Sequence, residues 1–277
     1  MKPLRPGTLL ERLACLAGGF VADWRDVVFL HYALPAVDLA PHVPQPLDVV
    51  DGRAFVSLVS FELERMRPAR AVPPMIGRWL MRPFSDHQFL NLRTCVRGAA
   101  GPGIHFIAEW INNPLSARVG PSSYGLPYRK AAMTREFMHG SGLRRIAVRD
   151  AETNAAASLV VPITPDAPPR KAAAGSLDAF LLERYRAYTH TGGKSRHFEI
   201  NHPRWLAAPF RLARSNMQLL DDLYPWFKYT TFIGGHLAAG FEDVVMGPPR
   251  GTADPAKSKE VEGCDGVTVA TFRPSTF

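Results

Sequence analysis

Residues 103–133, GIHFIAEWINNPLSARVGPSSYGLPYRKAAM, contain the clearest local signals in the sequence. Apolar side chains alternate with His105 and Glu109 over residues 104–110, which is the period of a β-strand. The alternation predicts Phe106 and Trp110 on one face of this strand, and His105 and Glu109 on the other.

A short helix is expected directly after this strand. Asn113 offers a side chain that can cap a helix, and Pro114 suits the first helical position. We expect the helix to reach about Val119, because Gly120 and Pro121 are residues that commonly end helices.

A tight corner is expected at residues 124–128, Tyr-Gly-Leu-Pro-Tyr. Pro127 fixes its own φ angle and keeps the residue before it extended. The next strand then begins with Tyr128, Arg129 and Lys130. Since strand side chains alternate, Tyr128 and Lys130 should share one face, with Arg129 on the other.

Composition indicates an ordinary globular protein without nucleic-acid partners. The 277 residues are 46% hydrophobic, which allows one large or two ordinary domains with a sizeable core. The net charge is +8, but the arginines are spread along the whole chain. We therefore favour a solvated, arginine-rich surface over nucleic-acid binding, and an anionic small-molecule ligand fits the same charge.

The cysteines and the N-terminus suggest a cytoplasmic protein. Cys15, Cys95 and Cys264 are too widely spaced for a disulfide framework or a zinc site, so we expect no metal and no cofactor. Glu11 and Arg12 interrupt the apolar stretch near the start, which argues against a signal peptide. The leucines of that stretch are spaced to form one face of a helix. No apolar run of 18 residues exists, so no membrane partner is expected.

Several further strands are predicted along the chain. They are residues 27–32, 53–63, 88–96, 143–148, 157–163 and 195–202, with ordered pieces at 209–214 and 229–245. Asp51-Gly52 is a hairpin-type turn. Ser176 should cap a helix that continues to about residue 191. Residues 64–86 read as an apolar loop packed over the strands, or less readily as a moving lid.

These elements predict a mainly β (α+β) fold. We expect a single closed or highly curved β-barrel with peripheral helices over residues 1–246, and a mobile tail over 247–277.

Asn91 and Arg93 lie on one face of the predicted strand 88–96. A central-strand arginine must be paired or must face a ligand, because burying it alone is costly. An ion pair with Glu62, Glu64 or Glu109 and the recognition of an anion both remain open.

His197 and Glu199 also share a strand face. They could form a metal or acid–base pair, but a surface pair is the simpler interpretation without a third ligand.

Five short motifs together carry a family resemblance. They are Phe-Leu-Asn-Leu-Arg-Thr at 89–94, Gly-Pro-Gly-Ile-His-Phe at 101–106, Tyr-Gly-Leu-Pro-Tyr at 124–128, Phe-Leu-Leu-Glu-Arg-Tyr at 180–185 and Asn-His-Pro-Arg-Trp at 201–205. Over about residues 24–245 the chain resembles the uncharacterised, unknown-function branch of the acetoacetate decarboxylase-like superfamily. The resemblance implies a cone-like β-barrel with a central cavity, often oligomeric, in a superfamily whose known members act on keto acids.

One departure from that superfamily concerns its catalytic lysine. The decarboxylases carry a Schiff-base lysine directly after the proline of the corner, followed by a second lysine. Here those places hold Tyr128 and Arg129, and Lys130 follows one residue later. Amine chemistry stays possible if Lys130 reaches the cavity, where we expect it to stay protonated; inherited decarboxylation is doubtful.

Two hypotheses on function follow. The first is a lyase-like enzyme acting on a small oxo acid. Its candidate catalytic residues are Tyr128, Lys130 and Glu109, and its candidate substrate-binding residues are Arg93, Asn91, Arg129 and His105. The second is a non-catalytic small-molecule-binding or structural barrel. Converging polar groups around a carboxylate would favour the enzyme, and an apolar cavity without them would favour the binder. Separately, we expect an anionic small-molecule ligand, a possible homo-oligomer, and a pocket lined by Asn91, Arg93 and Tyr128.

Overall fold

The computed structural model describes residues 18–69, 79 and 81–251. Its strands are β1 (Phe20–Pro35), β2 (Arg53–Pro68), β3 (His87–Gly98), β4 (Gly101–Ile111), β5 (Tyr128–Met138), β6 (Leu143–Asp150), β7 (Ala156–Pro162), β8 (Arg186–Thr191), β9 (Lys194–Asn201), β10 (Ala207–Phe210), β11 (Arg214–Asn216), β12 (Thr231–Met246) and β13 (Arg250–Gly251). Its α-helices are α1 (Ala36–Leu39), α2 (Pro114–Ser123), α3 (Leu177–Leu182) and α4 (Gln218–Leu223). Three 3₁₀ turns cover Ala40–His42, Arg82–Phe84 and Pro225–Tyr229. The prediction of a mainly β fold is confirmed.

Seven strands pair in a ring. Neighbours along it are β1, β2, β3, β4, β8, β9 and β12, and β12 pairs with β1 again. A second antiparallel group, β5, β6, β7 and β11, joins the ring where β5 runs parallel to the end of β4.

The ring strands have two apolar faces because their side chains alternate. The inner face includes Val27 and Phe29 of β1 with Phe61 and Phe89. The outer face includes Val28, Leu30, Leu58, Leu90, Leu92 and Trp110. It packs against Ile146 of β6, Leu159 of β7 and Trp226 in the segment after α4. Burial of both faces explains why these strands read as nearly continuous apolar runs.

The turn at Asp51-Gly52 agrees with the sequence. Both residues have positive φ angles, 50° and 73°, as a type I′ hairpin turn requires. Val50 and Arg53 exchange backbone hydrogen bonds across the turn. Strands β1 and β2 both exceed their expected lengths, and β2 continues to Pro68 into the segment expected to be a loop.

Helix α2 begins as predicted and ends later. The Asn113 side chain accepts hydrogen bonds from the backbone N–H groups of Leu115 and Ser116, both at 3.0 Å. The expectation that Gly120 and Pro121 end the helix is wrong, since the helix runs to Ser123. Proline removes only one backbone donor there, and the Ser123 hydroxyl donates to carbonyls of the same turn.

The helix capped by Ser176 is shorter than predicted. The Ser176 hydroxyl accepts from the Ala179 N–H, which confirms the cap, but α3 ends at Leu182. Residues 186–191 form strand β8, because they pair with β9 in a hairpin through Gly192 and Gly193. Tertiary pairing has overridden the helical spacing of the apolar residues.

Two predictions fall outside the described residues: the N-terminal helix and most of the expected tail, from residue 252 onward. In the part of the chain that the structure describes, no helix has the length and apolar character needed to cross a membrane.

Candidate functional site

A cavity of about 560 Å³ lies against the inner face of the ring, with α2 on one side. Aromatic and aliphatic side chains form most of its wall, including Trp24, Val27, Phe29, Val59, Phe61, Phe106, Phe198 and Trp205. Among the described residues, its polar lining consists of His87, Asn91, Arg93, Glu109, Ser116, Ser123, Tyr124 and Tyr128. A largely apolar cavity with a few converging polar groups is typical of a small-molecule site.

Three polar side chains form a row across neighbouring strands. Asn91 of β3 lies opposite Glu109 of β4, and Glu109 lies opposite Tyr128 of β5. Adjacent strands are about 4.8 Å apart, so the three side chains enter the cavity as neighbours. Arg93 follows Asn91 by two residues and lines the same cavity. The structure thus brings together four of the seven residues proposed from sequence.

A β-bulge places Glu109 in this row. Leu92 pairs with Ala108 and Arg93 pairs with Phe106, so Ile107 has no partner on β3. The extra residue reverses the alternation, and Phe106 and Glu109 both face the cavity. The predicted pairing of Phe106 with Trp110 on one face, and of His105 with Glu109 on the other, is therefore wrong.

Glu109 is neutral at pH 7 in this environment. Burial raises the pKa of its carboxyl to about 8, and the positive charge of Arg93 only partly opposes that rise. Its Oε2 atom and the Asn91 Oδ1 atom have no hydrogen-bond partner among the described residues. A protonated carboxyl can donate a hydrogen bond, so Glu109 can act as an acid toward a ligand.

Arg93 is the one lysine or arginine among the described residues that line the cavity. It forms no ion pair or hydrogen bond with the described residues, and its guanidinium lies 5.6 Å from the centre of the Phe29 ring. Glu62 and Glu64 contact Arg135 and Arg25 instead. Burial lowers the pKa of Arg93 to about 10, which leaves it charged at pH 7. Among the described residues, Arg93 thus has no ion pair with Glu62, Glu64 or Glu109.

Tyr128 presents a neutral hydroxyl. Burial and the neighbouring Glu109 raise its pKa well above the usual value of 10.0. Its ring packs against α2 at Gly120, where a Cβ atom would lie 2.2 Å from a ring carbon. Gly120 therefore provides the space that sets the position of this tyrosine.

Lys130 and Arg129 do not reach the cavity. Lys130 is exposed, and it pairs with Ile111, the last residue of β4, beyond which β5 pairs with β6. Tyr128 lines the cavity as expected, but Lys130, two residues further along β5, lies beyond the end of the cavity wall. Arg129 lies on the opposite face, where its Nε donates to Asp150 Oδ2 at 2.5 Å and its Nη2 to Glu152 at 3.0 Å.

His105 lies outside the cavity lining. It is buried between Thr94 and Tyr188, which are its register partners on β3 and β8. Burial and the neighbouring His190 lower its pKa to about 4, so its ring stays neutral at pH 7. Its assignment as a substrate-binding residue does not agree with this position.

His87 is a cavity residue that sequence reasoning missed. Its Nε2 lies 2.5 Å from the Ser116 hydroxyl of α2. Extending the alternation Arg93, Asn91, Phe89 by one step reaches His87, so the signal was present in the sequence.

In the pair His197 and Glu199, the glutamate is hydrogen-bonded to a neighbouring strand. Glu199 accepts a hydrogen bond from Arg186 Nε at 2.8 Å on β8. Among the described residues, no group of three or more His, Cys, Asp or Glu side chains is arranged to hold a metal ion.

Comparison with known proteins confirms the resemblance seen in the sequence. A family model, DUF2071, described as "Uncharacterized conserved protein", matches residues 21–224. "Uncharacterized protein YqjF" of Bacillus subtilis (strain 168) is 33% identical over 185 residues, which cover 66% of this chain and 72% of that protein.

Solved structures of the superfamily share the fold. An acetoacetate decarboxylase from Legionella pneumophila superposes with a TM-score of 0.59 at 11% identity, covering 92% of this chain and 94% of that one. An acetoacetate decarboxylase-like enzyme from Sphingomonas wittichii RW1 gives a TM-score of 0.56 at 13% identity, covering 86% and 94%. At these identities the likeness is one of fold.

Proposed function

We propose that this chain, which belongs to the DUF2071 family of uncharacterised conserved proteins, binds an oxo acid in its cavity and polarises the ligand's carbonyl group with Glu109. The observation that carries the proposal is a buried Arg93, which has no ion-pair partner among the described residues, beside a carboxyl whose pKa is raised to about 8. We further propose that the ring of seven strands acts as a closed barrel around the ligand. The solved neighbours named for acetoacetate decarboxylation support the substrate class.

Arg93 would bind the carboxylate of the ligand. A guanidinium offers two parallel N–H donors that match the two oxygens of a carboxylate. No described side chain competes for these donors, and the apolar wall weakens competition from water. This contact would also orient the ligand. With its carboxylate at Arg93, the carbonyl group of the ligand points toward the row formed by Asn91, Glu109 and Tyr128.

The carbonyl oxygen would accept hydrogen bonds from Glu109 and from the Tyr128 hydroxyl. In a 3-oxo acid, the bond between the α-carbon and the carboxylate breaks, CO₂ departs, and the electron pair forms the C=C bond of an enol. The carbonyl oxygen takes the Glu109 proton in the same step, and Arg93 stabilises the resulting carboxylate charge. This lyase-like step needs no imine, which agrees with the exposed position of Lys130.

A non-catalytic binding role is the second candidate. The apolar character of most of the wall and the position of Lys130 outside the cavity favour it. A fold of this kind can keep a ligand site without its ancestral chemistry.

Calorimetric titration and ¹H NMR of 3-oxo acids test the proposal with three variants. We expect Arg93→Met to weaken binding about ten-fold or more, since hydrogen bonds to charged groups are the strong ones. We expect Glu109→Gln to keep binding within a few fold and to slow product formation by about 10²-fold or more. Lys130→Met is the matched control, and it should behave as the wild type in both measurements.

Each outcome separates the two candidates. Binding without turnover by the wild type would establish the binding role and exclude the enzyme. Turnover by Glu109→Gln at the wild-type rate would show that this carboxyl is not the acid. Failure of every oxo acid to bind would contradict the proposed function itself.

A further inference from the structure

Arg93 and two polar side chains without partners among the described residues, Asn91 and Glu109, lie toward one end of the cavity. Along β3 the side chains that face it are Arg93, Asn91, Phe89 and His87, in that order. Six residues separate Arg93 from His87, which corresponds to about 20 Å of strand. Arg93, Asn91 and Glu109 occupy the first third of this length, and Phe89 begins the remainder.

The other end of the cavity is apolar. Phe61 stacks on Phe89 with ring centres 4.9 Å apart, and Trp24 lies 5.2 Å from Phe61. Beyond them the wall is formed by Phe20, Met66, Pro68, Met81, Phe84 and Met246. Of the polar side chains at this level, His87 and Ser116 bond to each other, and Tyr124 packs its ring 5.9 Å from that of Phe20.

The volume exceeds what a short acid can fill. At about 30 Å³ for each group of water size, a cavity of 560 Å³ accommodates roughly eighteen such groups. Acetoacetate, a four-carbon acid, would leave the wall around Phe61 and Trp24 without a partner. Ligand sites usually bury most of the ligand against such a wall, so the apolar length indicates a ligand with an apolar tail.

The charges limit the ligand to a single carboxylate. Arg93 is the one cation of the described lining, and Glu109 is neutral at pH 7. A second carboxylate would therefore lie unpaired against aromatic side chains, which is strongly unfavourable.

We infer that the ligand is an amphiphilic monocarboxylate, a 3-oxo acid longer than acetoacetate and of at most roughly eighteen non-hydrogen atoms. Its carboxylate lies at Arg93 and its hydrocarbon tail lies along Phe89, Phe61 and Trp24. This inference rests on the proposed function, because it assumes that Arg93 binds the carboxylate. It adds the size, the charge and the direction of the ligand.

Straight-chain acids that do not react are suitable probes, and Trp24 and Trp205 in the cavity wall are built-in fluorophores. Titration with acetate, butyrate, hexanoate, decanoate and dodecanoate, below micelle concentrations, should show affinity rising by about four-fold for each added CH₂ group until the tail fills the cavity. Dodecanedioate should bind at least ten-fold more weakly than dodecanoate. Arg93→Met should weaken dodecanoate binding about ten-fold or more.

A variant at the far end tests the direction of the tail. Met66 is half-buried and lines the apolar end, so Met66→Lys adds a cation there with its stem along the wall. We expect the preference to reverse, with dodecanedioate then binding more tightly than dodecanoate and butyrate unchanged. Val50→Lys, at an exposed position outside the cavity, should leave all affinities as in the wild type.

Three results would overturn the inference. They are equal affinity for short and long acids, a chain-length dependence that Arg93→Met leaves unaltered, and an unchanged preference in Met66→Lys. Equal affinity for short and long acids would leave the proposed function in place. Failure of every acid to bind the wild type would contradict both.

Discussion

Glu109 shows how burial and a nearby charge compete at one residue. Removal from water raises its pKa, and Arg93 attracts the ionised form and lowers it. Burial is the larger of the two effects, and the structure shows no ion pair between Arg93 and this carboxyl. A closer arginine would have produced an ordinary salt bridge and a carboxylate unable to donate a proton.

We predict that Glu109 lowers the stability of the protein as the pH rises. In the unfolded chain this carboxyl ionises near its ordinary pKa of 4.5, whereas in the folded protein its pKa is about 8. Between these values the unfolded state releases a proton that the folded state retains, so the free energy of unfolding falls by up to about 1.4 kcal/mol per pH unit.

Urea denaturation at pH 5, 6, 7 and 8 measures this effect as the difference between the wild type and Glu109→Gln. The wild type should lose stability relative to the variant across the series. A constant difference would mean that Glu109 is ionised in the folded protein and cannot be the proposed acid.

Arg129 is a structural residue in the fold, although its sequence position next to Tyr128 suggested ligand binding. Asp150 is fully buried, and it also accepts hydrogen bonds from Trp110 Nε1 at 2.9 Å and from the Thr153 N–H at 2.9 Å. Burial would raise the pKa of Asp150, but these bonds and Arg129 hold it well below its usual value.

We expect Arg129→Met to destabilise the protein by about 3 kcal/mol, because it leaves the buried Asp150 carboxylate without its cation. Binding of carboxylates should stay within two-fold of the wild type. Lys130→Met, at the exposed neighbouring position, should change stability by less than about 0.5 kcal/mol. A large loss of carboxylate affinity in Arg129→Met, measured under conditions where the variant is folded, would show that Arg129 contributes to ligand binding.

At the scale of elements, α2 connects the cavity wall to the segment before β3. Asn113 Oδ1 caps the helix, and the Nδ2 of the same side chain donates to the Pro83 carbonyl at 2.8 Å. Pro83 precedes Phe84, which lines the apolar end of the cavity. One side chain therefore holds both the helix and this part of the wall.

Two variants of Asn113 separate these contributions. Asn113→Ala should lower the free energy of unfolding by about 1 kcal/mol or more, because it removes the cap and the bond to Pro83. Asn113→Asp keeps an acceptor for the cap and loses only the donor, so it should retain most of that stability. Thermal and urea denaturation give the comparison, and equal losses in the two variants would show that the cap contributes little.

The sequence predicted some elements well because their signals are local. The alternation on β3 correctly placed Asn91 and Arg93 on the face opposite Leu90 and Leu92. The chemical roles given to these residues stay predictions.

The errors arose where long-range pairing decided the outcome. The sequence around Ile107 does not predict a bulge, since its neighbours alternate as in a regular strand. The bulge nevertheless determines on which face of the strand Glu109 lies. Likewise, residues 186–191 became a strand because β9 and β4 were available to pair with them. Alternation along β5 cannot show where the cavity ends, and Lys130 is exposed outside its lining.

At the scale of the whole molecule, several histidine side chains are buried. His31, His87, His105, His202 and His236 all have pKa values lowered chiefly by burial. Burial thus favours the neutral form of each ring, and the rings pack as aromatic side chains, as His31 does against Phe29 and His236.

Acid should consequently destabilise the whole fold. In the unfolded chain these histidines bind protons near their ordinary pKa of 6.5, whereas the folded protein binds them only at lower pH, as His105 does with a pKa of about 4. The unfolded state thus holds more protons below pH 6.5, and the free energy of unfolding falls as the pH decreases from there.

His105→Gln isolates one part of this effect. The variant loses packing at every pH, but its stability should depend less on pH between 6.5 and 4, by about 3 kcal/mol over that interval, because one shifted histidine has been removed. Urea denaturation at half-unit pH steps measures the slopes, with His139→Gln, an exposed histidine, as the control that should keep the wild-type slope. If His105→Gln also keeps that slope, His105 must take up its proton in the folded protein as readily as in the unfolded chain, and acid sensitivity must then arise from the carboxylates that arginines hold ionised.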